Sequence, residues 1–301
     1  MKRPLGERHR VSRRPMAAEG SLRRQGGSTL MVASRRIISA LLGLCLISLV
    51  AFGAGPQTPP SEKALRKERG RTLPEVIETD IVTREAICRW AAQPPVLDGK
   101  LDDKCWEQAA PIEQFASFWT KTPRAGTRAY LVWDEEALYY GATMTDSELR
   151  SFGTKRNDHL WNGDVFEMFL KPSAERPEYY EFQANPRGVV FECAFPKRGE
   201  APPDFSKAPV LGNTAVVTVS GTLDQPGDRD EGWTVEGRIP WSAFRFNGKP
   251  KPGDEWRFAL CRYDYGPKGT REILMSSAPL TRPSFHRHED YGKLRFEGPR
   301  R

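Results

Sequence analysis

The stretch DVFEMFLKPSAERPEYYEFQAN, residues 164–185, holds two runs of two-residue alternation joined by a link rich in proline and charge. Side chains of a β-strand point to opposite faces in turn, so alternation sorts them by face. Phe166, Met168 and Leu170 share one face, and Val165, Glu167 and Phe169 share the other. In the second run Tyr180, Phe182 and Ala184 turn inward, while Tyr179, Glu181, Gln183 and Asn185 turn outward. Two adjoining strands with hydrogen-bonding side chains on one face predict a polar platform on a half-buried sheet.

The same texture extends in both directions. Alternating runs recur at Thr127–Asp134, Ala137–Thr145, Val189–Phe195, Thr214–Leu223, Gly232–Ile239, Glu255–Asp264, Glu272–Met275 and Lys293–Phe296. Gly, Pro, Asn and Asp punctuate them, as strand boundaries require. With the two strands of the opening stretch they predict an all-β fold, an antiparallel two-sheet β-sandwich of jelly-roll type. Short helical turns are expected at Lys104–Ala109 and Trp241–Phe244. No part of 81–301 sustains a 3.6-residue period, and no internal repeat is visible. Trp90, Trp106, Trp133, Trp233, Trp241 and Trp256 fall at core or sandwich-edge positions, and Trp119 is left unassigned.

Upstream the chain reads differently. Residues 37–52, IISALLGLCLISLVAF, form an apolar run behind Arg35 and Arg36, with small residues placed for a cut after Gly53. This is the pattern of a secretory signal peptide, with Met1 or Met31 as the start. Residues 1–53 are therefore read as leader and signal, and 37–54 as the alternative membrane anchor. Residues 54–80 read as a solvated linker and 81–301 as one domain, secreted or held in the periplasm or cell envelope. The leader carries ten Lys or Arg against two Asp or Glu, more than the whole formal charge of +7, so 54–301 is left slightly acidic. A basic face for nucleic acid is thus not implied. Export permits two disulfides among Cys88, Cys105, Cys193 and Cys261, with buried thiols as the alternative.

Trp161 precedes the first strand of the platform, in the loop KRNDHLWNG at 155–163. A flat aromatic ring beside carboxylate and amide side chains suits a sugar. The C–H faces of a pyranose stack on the ring, and its hydroxyls need bidentate polar partners. Trp161, Glu167, Gln183 and Asn185 supply both parts, with Glu181 and Arg156 as neighbours.

The chain also resembles carbohydrate-binding module family 9 from about Trp90 to Phe296. The markers are PPVLDGKLDDKCW (94–106), LVWDEEALYYGATMTD (131–146), WNGDVFEMFL (161–170), YYEFQAN (179–185), GWTVEGRIPW (232–241) and YGKLRF (291–296). The resemblance implies a β-sandwich that holds a polysaccharide or oligosaccharide between two aromatic rings. It places the first ring at Trp161, six residues before Glu167, and the second at Phe285. The family's Arg and Asn on the next strand correspond to Gln183 and Asn185, so a charge-assisted hydrogen bond is missing. Structural calcium is also implied, with Asp98, Asp102, Asp103, Asp146 and the run Asp224–Glu231 offering hard oxygen ligands.

Other readings compete. Glu167 and Glu181 could serve as a hydrolase pair, but a platform between stacking rings holds a sugar without cutting it. An accessory role in glycoside hydrolysis needs no catalysis from this chain. A b-type haem sandwich would use Met144 or Met168 as an axial ligand, although a Met on an alternating strand is usually core. His286 and His288, beside Phe285, suit solvent or sugar contact better than metal ligation. A purely structural envelope protein is the third class.

Overall fold

Alternation at Thr127–Trp133 and Ala137–Thr145 produces an antiparallel pair whose register sets Leu131 opposite Tyr140. The computed structural model describes residues 83–117, 126–268, 270 and 272–299. The leader, the anchor, the linker, Cys45 and Trp119 lie outside the described residues. Twelve strands run in the order β1 (Glu85–Trp90), β2 (Ala116–Ser117), β3 (Thr127–Trp133), β4 (Ala137–Thr145), β5 (Val165–Lys171), β6 (Tyr179–Ala184), β7 (Val190–Phe195), β8 (Thr214–Ser220), β9 (Gly232–Pro240), β10 (Glu255–Asp264), β11 (Ile273–Ser276) and β12 (Gly292–Phe296). A short helix, α1 (Lys104–Gln108), and a 3-10 turn at Trp241–Ala243 occupy the two expected helical sites. All ten expected strands form, their ends shifted by three residues at most.

The hydrogen-bonded order is β7-β6-β5-β10-β12-β1-β3-β4-β9-β8, with β11 and β2 attached to β10. The expectation of a purely antiparallel arrangement is corrected at β1. Its first part pairs parallel with β12, Glu85 opposite Lys293, and its last two residues pair parallel with β3. A single strand therefore joins two otherwise antiparallel runs. Pairing with two different strands lets β1 be short and weakly patterned, which hid it from the sequence reading.

The main core gathers Phe166, Met168, Leu170, Tyr180 and Phe182 from β5 and β6 with Leu131, Trp133, Tyr140, Val235 and Ile239 from β3, β4 and β9. Burying each large apolar side chain contributes about 1.5–3 kcal/mol. Met144 and Met168 are part of this packing. Trp106, Trp133, Trp233, Trp241 and Trp256 are buried, and half-buried Trp90 meets Trp133 edge-on at 4.9 Å. The four described cysteines are free and buried, so the thiol alternative holds and the disulfides do not form.

The opposite face of β5 and β6 is not open. Val165, Phe169, Tyr179, Phe191, Cys193 and Phe195 build a second cluster, completed by Ala278, Leu280, Phe285 and Tyr291 from the segment after β11. Tyr179, Glu181, Gln183 and Asn185, expected to face outward, are all buried. Alternation assigned them to the correct face, but that face is roofed by segments distant in sequence.

Candidate functional site

The loop before β5 holds Trp161 through several local devices. Asn157 takes a left-handed φ of 65°, which Asn tolerates better than most residues. Its Oδ1 accepts the Glu192 N–H at 2.9 Å and its Nδ2 donates to the Phe205 carbonyl at 3.2 Å. Asp158 Oδ2 accepts the N–H groups of Thr154 and Lys155, which holds its carboxyl below the ordinary range. Trp161 then rides on the 3-10 turn Leu160–Asn162. Its ring stacks on His159 at 4.5 Å, and Tyr265 Oη donates to its carbonyl at 2.8 Å.

Trp161, Glu167 and Glu181 line one cavity of about 530 Å³, within the range usual for small-ligand sites. Tyr179 and Phe195 also line it, stacked on each other at 4.9 Å, together with Phe191 and Tyr263. Arg198–Ala201, Phe205, Ser284 and His286 complete the lining.

The polar part is a triad on neighbouring strands. Glu167 pairs in register with Gln183, and Glu181 sits two residues earlier on the same face. Gln183 Nε2 donates to Glu167 Oε1 at 2.7 Å and to Glu181 Oε1 at 2.5 Å. Burial pushes both carboxyls upward, and for Glu167 the nearby Glu181 adds to the effect. Glu167 Oε2 and Gln183 Oε1 have no hydrogen-bond partner in the chain. An orphaned buried acceptor costs free energy unless something donates to it. His286 Nδ1 meets Tyr179 Oη at 2.9 Å, and burial lowers the imidazole to about 4, so the ring is neutral near pH 7.

The other residues picked from the sequence stand elsewhere. Phe285, expected as the second ring, is 6% exposed and absent from the cavity lining. It packs against Phe169 and Tyr263, and its carbonyl accepts from Tyr291 Oη at 2.6 Å. Asn185 closes the β6–β7 turn: Oδ1 accepts from Arg187 and Val189, and Nδ2 donates to the Phe152 carbonyl at 2.8 Å. Arg156 pairs with buried Glu192 at 2.6 Å and with the Asn213 carbonyl. Sequence reasoning missed Tyr179, Phe195, Tyr263 and the loop 198–201 as cavity residues.

For calcium, most expected ligands are already engaged. Asp98 accepts from Lys100, Asp103 from the Val96 N–H, and Asp224 from the Ser151 N–H and Arg187. Asp230 accepts from the N–H groups of Leu149 and Thr222. Asp146 meets Asp164 and Asp264, all buried, with oxygens within 4.8 Å of one another, although Asp164 also accepts the N–H groups of Arg150 and Tyr265. Arg262 donates to Asp146 at 3.1 Å and lies 3.7 Å from Asp264. Burial raises all three carboxyls and one guanidinium offsets only part of that, so an added hard cation suits the donor set.

Several known proteins are similar. The chain is 28% identical over 208 residues to endo-1,4-beta-xylanase A of Thermotoga neapolitana, and 27% identical over the same length to that of Thermotoga maritima. Each match covers 67% of this chain but only 17% of the relative. Among solved structures, a candidate carbohydrate-binding protein from Bacteroides uniformis aligns with a TM-score of 0.56 at 16% identity, over 71% of this chain and 100% of that one. A carbohydrate-binding module family 9 from Caldicellulosiruptor kristjanssonii, in complex with cellotriose, aligns with a TM-score of 0.50 at 17% identity, over 72% and 95%. These likenesses carry the fold alone. With the model of the carbohydrate family 9 binding domain-like family matching residues 97–298, two thirds of its length, the chain belongs to that family.

Proposed function

We propose that this chain is an exported, non-catalytic carbohydrate-binding protein on a jelly-roll-like β-sandwich, holding a sugar in the cavity beside Trp161. The observation that carries the reading is an unpartnered buried acceptor, Glu167 Oε2, on a side chain that lines the cavity beside aromatic walls. Sugar hydroxyls donate to such acceptors while C–H faces cover the rings. Glu167 and Glu181 orient hydroxyls, Gln183 locks the two carboxyls in register, and Trp161 supplies the flat surface. Tyr179 and Phe195 take the wall that the family resemblance assigns to Phe285.

The xylanase relatives support an accessory role in glycan breakdown, in which this domain contributes retention of substrate and a separate catalytic domain the cleavage. Asp146, Asp164 and Asp264 would hold calcium, which would supply the positive charge that three buried carboxylates call for. A leader such as 1–53 suits a protein that meets glycans outside the cytoplasm. Among the described residues no helix is long and apolar enough to cross a membrane.

A glycan array with wild type and Trp161→Ala tests the reading. Loss of the indole face should weaken retention by about 1–3 kcal/mol. An unchanged dissociation constant on every retained glycan would remove the cavity from consideration.

A further inference from the structure

The floor of the cavity carries two carboxyl groups with no cation beside them. Glu167 and Glu181 are 2% and 3% exposed, yet no Lys or Arg among the described residues bonds or pairs with either. Arg198, the cation in the lining, is paired with Glu289. The groups facing the two carboxylates from adjoining elements are Cys261 and Tyr263 of β10, Cys193 of β7, Tyr179 of β6, and Tyr291 and His286 beyond β11. None is a cation near pH 7: burial raises the thiols and phenols, and His286 Nε2, 3.9 Å from Glu181 Oε2, belongs to a ring kept neutral.

We propose that the cavity prefers a sugar carrying a protonated amino group, an amino sugar of the glucosamine type, over a neutral glycan. The proposal rests on the carbohydrate reading above and names the ligand class within it. Three features converge on an ammonium group. Glu167 and Glu181 have no cationic partner among the described residues, and burial without one is what raises both carboxyls; an ammonium beside them would favour their ionised form. Glu167 Oε2, on a buried side chain that lines the cavity, lacks a donor. An ammonium offers three donors where a hydroxyl offers one. The faces of Trp161, Tyr179 and Phe195 lie in the same lining, and aromatic faces attract cations as well as C–H groups. A neutral hydroxyl fills one acceptor and brings no charge to favour ionisation of the pair. An N-acetyl group has a single N–H and no charge.

Isothermal titration of the full chain with the trimer of glucosamine, its fully N-acetylated counterpart and cellotriose separates the cases without any mutation. The expected result is binding of the amine trimer on the order of tenfold tighter than either neutral trimer, since charge-assisted hydrogen bonds exceed neutral ones. Glu167→Gln and Glu181→Gln, near-isosteric changes, should each reduce that preference, whereas Trp161→Ala should weaken all binding. Equal or tighter binding of cellotriose overturns the amino-sugar preference and leaves the carbohydrate reading standing. If the amine trimer fails to bind and the glycan array retains nothing, both fall together.

Discussion

At the scale of single residues, Phe285 and Trp161 divide roles that the sequence assigned jointly. The Phe285 ring lies among Phe169, Tyr263 and Tyr291, so its removal opens a hole in the second cluster. Phe285→Ala should cost about 3–5 kcal/mol of folding stability, read as a lower urea midpoint. Full stability with lost sugar affinity would instead return the ring to the binding face. Glu167 and Glu181 make a second residue-scale prediction. Burial raises both above their unfolded values, so the unfolded chain releases these protons first as pH rises. Their contribution is intact below the ordinary glutamate range, about 4.3, and is lost as pH climbs through the raised values. Urea denaturation across pH should show stability falling in that window, with a flatter profile in Glu181→Gln. A profile identical to wild type would mean that Glu181 ionises normally.

Among the elements, the β6–β7 turn sets the cavity. Asn185 accepts from two N–H groups of the turn and donates across to Phe152, and the register that follows puts Tyr179 opposite Phe195 and Glu181 opposite Cys193. Asn185→Ala should lose about 1–3 kcal/mol by orphaning those groups, with sugar affinity falling as the wall shifts. Thermal melting and titration of the variant check both effects, and a stability unchanged from wild type would contradict this role. The same hairpin shows how much was legible beforehand. Alternation placed Tyr179, Glu181 and Gln183 on one face correctly, because period two depends only on local backbone geometry. Extending the pairing from Asn185 and Val189 would have brought in Phe195. What covers that face was not legible, since the loop 198–201 and the segment holding Phe285 and His286 reach it through long-range packing. Phe285 and His286 are adjacent in sequence and part company at the cavity edge for the same reason.

For the molecule as a whole, the buried acidic group of Asp146, Asp164 and Asp264 faces one guanidinium, that of Arg262. Calcium should therefore raise the melting temperature, a chelator should lower it, and Asp264→Asn should diminish the response. A melting temperature indifferent to calcium would leave Arg262 as the only cation that group requires. The overall architecture followed from ten periodic runs, but its closure did not. β1 carries no strong pattern of its own and gains its place only when β12 and β3 are both formed.

That closure has a mechanical side. β1 opens the described fold and β12 ends it, and they run parallel with Glu85 beside Lys293 and Cys88 beside Phe296. Tension on the polypeptide from both flanks would drag these neighbours lengthwise in opposing directions, loading their hydrogen bonds together instead of peeling them singly. A glycan-gripping body strung between moving anchors would thus yield to force only after its first and last strands slid past each other.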